Sequence, residues 1–134
     1  MTRSRISTPG APSAVGPYSQ GIDAGDTVYC SGQVGLDPQS GELVQGGLET
    51  QTERALRNLG AVLEAAGLGY ADVVKTTCFL IDIGDFAAFN AIYARYFPEP
   101  PPARSTFAGR RCPRAHASRS RRSQDARKRD GRIV

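Results

Sequence analysis

Apolar side chains recur with two different periods along the first hundred residues, and the changes of period mark the elements. Thr27-Val28-Tyr29-Cys30-Ser31-Gly32-Gln33-Val34 follows the Ala24-Gly25-Asp26 turn and is rich in β-branched and aromatic side chains, which predicts a strand, with Tyr18 to Ile22 as its hairpin partner. Asp37-Pro38-Gln39-Ser40-Gly41 predicts a turn, because proline presets φ and Gly41 can take the positive φ that closes it. The period then lengthens. Leu48, Ala55, Leu56, Leu59, Val62, Leu63 and Ala66 fall three and four apart, while Glu53, Arg54, Arg57 and Glu64 lie mostly off that face. This spacing predicts an amphipathic helix that Gly67 stops, with its apolar stripe laid on a sheet. Asp72 to Ile83 is β-branched and apolar and predicts a well-buried strand. Asp85 opens a second helix whose stripe is Phe86, Phe89, Ile92, Tyr93, Tyr96 and Phe97, ended by Pro98 with Pro100, Pro101 and Pro102. The predicted order is strand, strand, helix, strand, helix.

The pattern stops at about Ala108, and charge changes with it. Residues 1–107 carry 7 Lys+Arg against 11 Asp+Glu, a net charge of −4; residues 108–134 carry 10 Lys+Arg against 2 Asp, a net charge of +8. The formal +4 of the whole chain averages two unlike segments. In the basic segment the large apolar side chains are only Ile133 and Val134, too few to offset the entropy of ordering its backbone, so 108–134 is expected to be a disordered tail on a domain spanning 1–107. A domain of that size holds one modest core, which oligomerisation often supplements.

No apolar run reaches the length of a membrane span, and the N-terminus lacks a signal peptide's apolar core, so the protein is expected to be soluble and cytoplasmic, without membrane partners. Cys30, Cys78 and Cys112 are odd in number and form no C-x-x-C pair, and the single histidine, His116, lies in the tail. These facts argue against a disulfide framework or a metal site and for Cys30 and Cys78 as small buried hydrophobes. The tail's arginines read as a solvated charge run rather than a nucleic-acid arm.

Six strings, in order and in register across about residues 8–107, carry a closer match: Gly16-Pro17-Tyr18-Ser19-Gln20, Ser31-Gly32-Gln33, Gln51 with Asn58-Leu59, Asp72-Val73-Val74-Lys75-Thr76-Thr77, Asp85-Phe86 with Phe89-Asn90, and Pro102-Ala103-Arg104-Ser105. Together they closely resemble the RidA (YjgF) family of imine deaminases. The resemblance implies a chorismate-mutase-like α+β fold, a six-stranded mixed sheet with two helices on one face. It also implies a homotrimer whose active sites lie in clefts between subunits. The reaction implied is hydrolysis of 2-imino and 2-enamino acids such as 2-aminoacrylate to 2-keto acids and ammonia, with no cofactor. Arg104 matches the family's carboxylate-binding arginine, and its planar guanidinium can hold both carboxylate oxygens and fix the plane of the C=N group. Tyr18 and Asn90 match cleft positions where a phenol and an amide can hydrogen-bond substrate or water, and Ser31 and Gly32 match the strand segment whose backbone approaches the substrate.

The chain departs from the family after Arg104. Members continue with a strand resembling V-A-x-L-P-x-x-x-x-V-E-I-E-A that crosses the middle of the sheet and carries a glutamate; here no Glu follows Glu99, and Arg119 stands at the glutamate's position. The last strand is therefore expected to be missing. Read from the third base of GC-rich codons, residues 109–124 permit S-P-L-P-A-R-T-R-V-A-V-E-T-I-A, so a frameshift near Gly109 is inferred. Absence of a general acid or base, commonly worth ~10²–10⁴ in rate, makes impaired turnover an expectation for this chain. It also raises a non-catalytic ligand-binding trimer as the alternative. An endoribonuclease or translation inhibitor is the weaker alternative, because residues 1–107 show no basic patch with interleaved aromatics.

Overall fold

A computed structural model describes residues 2–109 and 131–133. Its elements are strands β1 (Ser4–Ile6), β2 (Gly21–Asp23) and β3 (Val28–Cys30), helix α1 (Leu48–Ala65), strand β4 (Lys75–Leu80), helix α2 (Phe86–Tyr96), and strands β5 (Ala103–Ala108) and β6 (Gly131–Ile133). Single 3₁₀ turns, Tyr70–Asp72 and Ile83–Asp85, flank β4. The strands form two three-stranded sheets. One is antiparallel, β1-β2-β3; the other is mixed, in the order β5-β4-β6, with β5 parallel and β6 antiparallel to β4.

Helix α1 forms because its apolar stripe has somewhere to go. Ala55, Leu56 and Val62 are fully buried, and Leu59 and Leu63 nearly so. Its C-terminus closes as the Gly67 spacing predicts. The Gly67 N–H donates to the Glu64 carbonyl and the Leu68 N–H to the Leu63 carbonyl, both at 2.9 Å, with Gly67 at φ +74°. Leu56, Leu59 and Leu63 pack with Cys78 and Leu80 of β4 and with Phe89, Ile92 and Tyr93 of α2. Both helices thus cover the same face of the β5-β4-β6 sheet. On the other side of α1, Val62 packs with Ile6 and Ala11 under the antiparallel sheet.

The expected α+β class with two helices on one face is what the chain adopts, with corrections in detail. Among the described residues the strands form two hydrogen-bonded sheets. β1 and β5 were absent from the predicted order, since Ser4-Arg5-Ile6 is short and Arg104-Ser105-Thr106 carries no apolar run. The backbone edge of β4 nevertheless takes a partner on each side, including Gly131–Ile133 from the segment expected to be disordered. The rest of that segment, 110–130 and 134, lies outside the described residues, and Cys112, His116, Arg119 and the inferred frameshift lie there or at its edge.

One helical glycine is fixed by close approach. A Cβ on Gly60 of α1 would meet the hydroxyl of Tyr70, which donates to the Leu56 carbonyl at 2.6 Å. Glycine to alanine inside a helix ordinarily stabilises by about 1 kcal/mol. Here Gly60→Ala should instead destabilise by roughly 1–3 kcal/mol in urea unfolding, because Tyr70 must give up its place.

Candidate active site

Arg104 is the second residue of β5 and stands opposite Thr76 of β4 in the parallel register. Its Nη2 donates to Asn90 Oδ1 at 2.7 Å. The guanidinium carbon lies 4.8 Å from the ring centroid of Tyr93, 5.4 Å from Phe86 and 6.0 Å from Phe89. Phe86, Phe89, Asn90 and Tyr93 are spaced three, four and seven apart on α2, so one helix face supplies the whole cup. Among the described residues the ion pairs are those of Arg95 with Glu49 and Glu53, and no carboxylate pairs with Arg104. Ring faces attract the cation without neutralising it, and Asn90 takes one of its five N–H donors. A half-buried guanidinium held this way is suited to receive an anion.

The floor under Arg104 is uncharged. The Tyr93 hydroxyl and Thr76 Oγ1 share a buried hydrogen bond of 2.7 Å. Burial pushes the Tyr93 hydroxyl above its ordinary pKa, with the Thr76 bond and the Arg104 charge acting in the opposite direction. Burial likewise pushes the Cys78 thiol up, so a buried, protonated Cys78 fits the reading of a small hydrophobe. Cys30 is half-buried, and burial raises its thiol too.

Tyr18, Ser31 and Gly32 form a second group. The Ser31 N–H donates to the Gln20 carbonyl at 2.9 Å and Ser31 Oγ to the Ser19 carbonyl at 2.5 Å, which ties the end of β3 to the segment beginning at Tyr18. Gln20 anchors that segment. Its Nε2 donates to the carbonyls of Thr8, Ala11 and Pro12, and its Oε1 accepts from the Thr8 N–H at 2.6 Å. Tyr18 is 49% exposed, its hydroxyl accepting from the Val15 N–H at 3.2 Å, and Gly32 is exposed beside Ser31.

The structure therefore joins Arg104 to Asn90, and Ser31 to the Tyr18 segment, but no described contact joins the two groups within one chain. Phe86 and Tyr93 were read from their spacing as core stripe alone. Their position on the helix face that carries Asn90 was the available signal.

Comparison with known proteins identifies the class of protein to which this fold belongs. The chain matches the model of the Endoribonuclease L-PSP family over residues 8–117 and belongs to that family, which is the RidA (YjgF) family of the sequence resemblance. It is 50% identical over 114 residues to the 2-iminobutanoate/2-iminopropanoate deaminase of Mus musculus, covering 85% of this chain and 84% of the mouse protein. It is 52% identical over 102 residues to Reactive Intermediate Deaminase A, chloroplastic, of Arabidopsis thaliana, covering 76% of this chain and 54% of the plant protein. Among solved structures it resembles TdcF of E. coli with bound serine, with a TM-score of 0.78 and 36% identity over 98% of this chain and 97% of that one.

A double-mutant cycle tests the polar floor of the cup. Tyr93→Phe and Thr76→Val, each alone, should cost about 1–3 kcal/mol by stranding a buried partner. Together they should cost about 1 kcal/mol less than the sum in urea unfolding.

Proposed function

We propose that this chain hydrolyses 2-imino and 2-enamino acids to 2-keto acids and ammonia, in the cytosol and without a cofactor, with Arg104 holding the substrate carboxylate. The observation that carries this is the Arg104 guanidinium, unpaired with any carboxylate among the described residues, fixed by Asn90 and cupped by three rings. Bidentate binding at Arg104 would set the plane of the C=N group. Water then adds to the imine carbon, the nitrogen takes protons, and the C–N bond breaks to leave the keto group and ammonia. Asn90 and Tyr18 are assigned to hydrogen-bond substrate and water, and the backbone at Ser31 and Gly32 to line the opposite wall. The bound serine in the related TdcF structure, an amino acid with the same α-carboxylate, supports this substrate class.

The two groups would meet across the interface of a homotrimer. Phe79 and Phe107 support this: their rings stack with centroids 5.6 Å apart, and they are 39% and 55% exposed. They sit on β4 and β5 at positions that alternate with the buried Cys78 and Leu80, on the sheet face away from the helices.

Arg104→Ala should lower ammonia release from 2-aminoacrylate generated in situ by about 10²-fold or more, and Arg104→Lys should restore little because the planar fork is gone. Unchanged turnover in both variants would refute the assignment. Binding of 2-ketobutyrate by calorimetry without turnover in the parent chain would mark the ligand-binding alternative. Sequencing the coding DNA beyond Gly109 tests the inferred frameshift.

A further inference from the structure

Thr76 and Arg104 stand opposite each other on β4 and β5, so their side chains leave the sheet on the same face, the one that the helices cover. Both hydroxyls of the Thr76–Tyr93 pair are buried, and the Tyr93 ring belongs to the apolar core of Leu80, Phe89 and Ile92. Packing alone does not ask for these hydroxyls. A phenylalanine facing a valine would fill nearly the same space with no polar group to desolvate, and a neutral hydrogen bond returns little beyond the desolvation of its two ends. What the pair adds is direction. Phe97 and Phe89 flank the Tyr93 ring with centroids 4.3 and 5.8 Å away, and Thr76 ties its tip. The ring torsion of a tyrosine is broad when left to itself, and here it is fixed at both ends.

We infer that Tyr93 is a positioning residue: pinned by Thr76, its ring sets the plane of the Arg104 guanidinium, while Asn90 sets the rotation within that plane. The inference rests on the reading of Arg104 as the carboxylate anchor. Tyr93 is the nearest of the three rings to the guanidinium carbon, at 4.8 Å, and it is the one of the three whose tip is tied to the strand beside Arg104. A ring attracts a cation to its face but does not fix how the cation turns above it. Asn90 Oδ1, accepting from Nη2 at 2.7 Å, supplies that second constraint. Together they aim the remaining N–H donors, and with them the plane of a bound C=N group. An Arg104 that loses its fixed floor keeps its charge, so carboxylate binding suffers less than alignment for reaction.

NMR of isotope-labelled arginine side chains in the full chain, together with ammonia-release kinetics on 2-aminoacrylate, tests this. The Arg104 signals are those missing from Arg104→Ala. In the parent chain Nη1 and Nη2 of Arg104 should give separate signals, because a guanidinium held by face and edge rotates slowly; in Tyr93→Phe and Thr76→Val they should average. In both variants kcat should fall about tenfold while KM stays within about threefold of the parent value. Thr76→Ser, which restores the hydroxyl, should recover the separate signals and most of the kcat that Thr76→Val loses. Unchanged Arg104 signals in Tyr93→Phe, a raised KM with unchanged kcat, or a Thr76→Ser chain no better than Thr76→Val would overturn the inference. A parent chain without turnover would count against the deaminase reading instead, and the Arg104 signals alone would then decide whether Tyr93 positions the guanidinium.

Discussion

Everything in this fold leans on one helix. Among the described residues the antiparallel sheet and the mixed sheet share no hydrogen-bonded strand pair, and what relates them there is α1 packed between two sets of side chains. Val62 is buried against Ile6 and Ala11, while Leu56, Leu59 and Leu63 are buried against Cys78, Leu80 and Phe89. Clearance around the helix is small where the first half of the chain crosses it. A Cβ on Gly21 of β2 would stand 3.2 Å from Val62, and one on Gly35 would stand 3.0 Å from the backbone of Gln51. Asn58 adds a polar tie on the same helix: its Nδ2 donates to the carbonyls of Val34 and Leu36 at 3.1 and 2.8 Å, and its Oδ1 accepts from Arg54. A close-packed interior transmits such contacts, so a change along α1 acts on both sheets at once.

The same economy shapes the chemistry. Residues that a family comparison marks for function and residues that hold the backbone are neighbours in the chain. Gln20 spends its side chain on the carbonyls of Thr8, Ala11 and Pro12, and so fixes the segment that carries Tyr18 against Ser31. Asn90 and Tyr93 divide similarly: the amide positions Arg104, while the phenol bonds Thr76 under the guanidinium. Among the described residues the groups holding Arg104 are neutral, which leaves its field available to an incoming carboxylate, where an adjacent Asp or Glu would have cancelled it.

Legibility in the sequence followed the length and regularity of each signal. The 3.6-residue period placed the apolar stripe of α1 and the start of α2 after Asp85, since eleven or more residues of one pattern admit few alternatives. The strand expected over Asp72–Ile83 is shorter, Lys75–Leu80, because the Asp72 and Asp82 carboxylates take the N–H groups of Gly69 and Gly84, at 2.8 Å each, and turn both ends into 3₁₀ turns. Three-residue strands such as β1 and β6 have no period to detect and exist through their partners. The candidate site residues were named only through the resemblance, because an arginine after a proline run carries no local mark of a task. Why Phe86 serves Arg104 was hidden for a related reason: periodicity reports which face a ring occupies, not whether a sheet or a cation lies over it.

Assembly of a catalytic centre from two groups on different protomers is the central claim, and mixing inactive variants tests it most directly. Tyr18→Ala and Arg104→Ala chains, each purified, would be unfolded together in equal amounts, refolded, and assayed for ammonia release. In a closed ring with heterologous interfaces, about one site in four then receives both an intact Tyr18 group and an intact Arg104, so about a quarter of the unmutated activity should return. Activity no greater than that of the two variants refolded separately would contradict the claim, because groups that work within one chain cannot complement each other between chains.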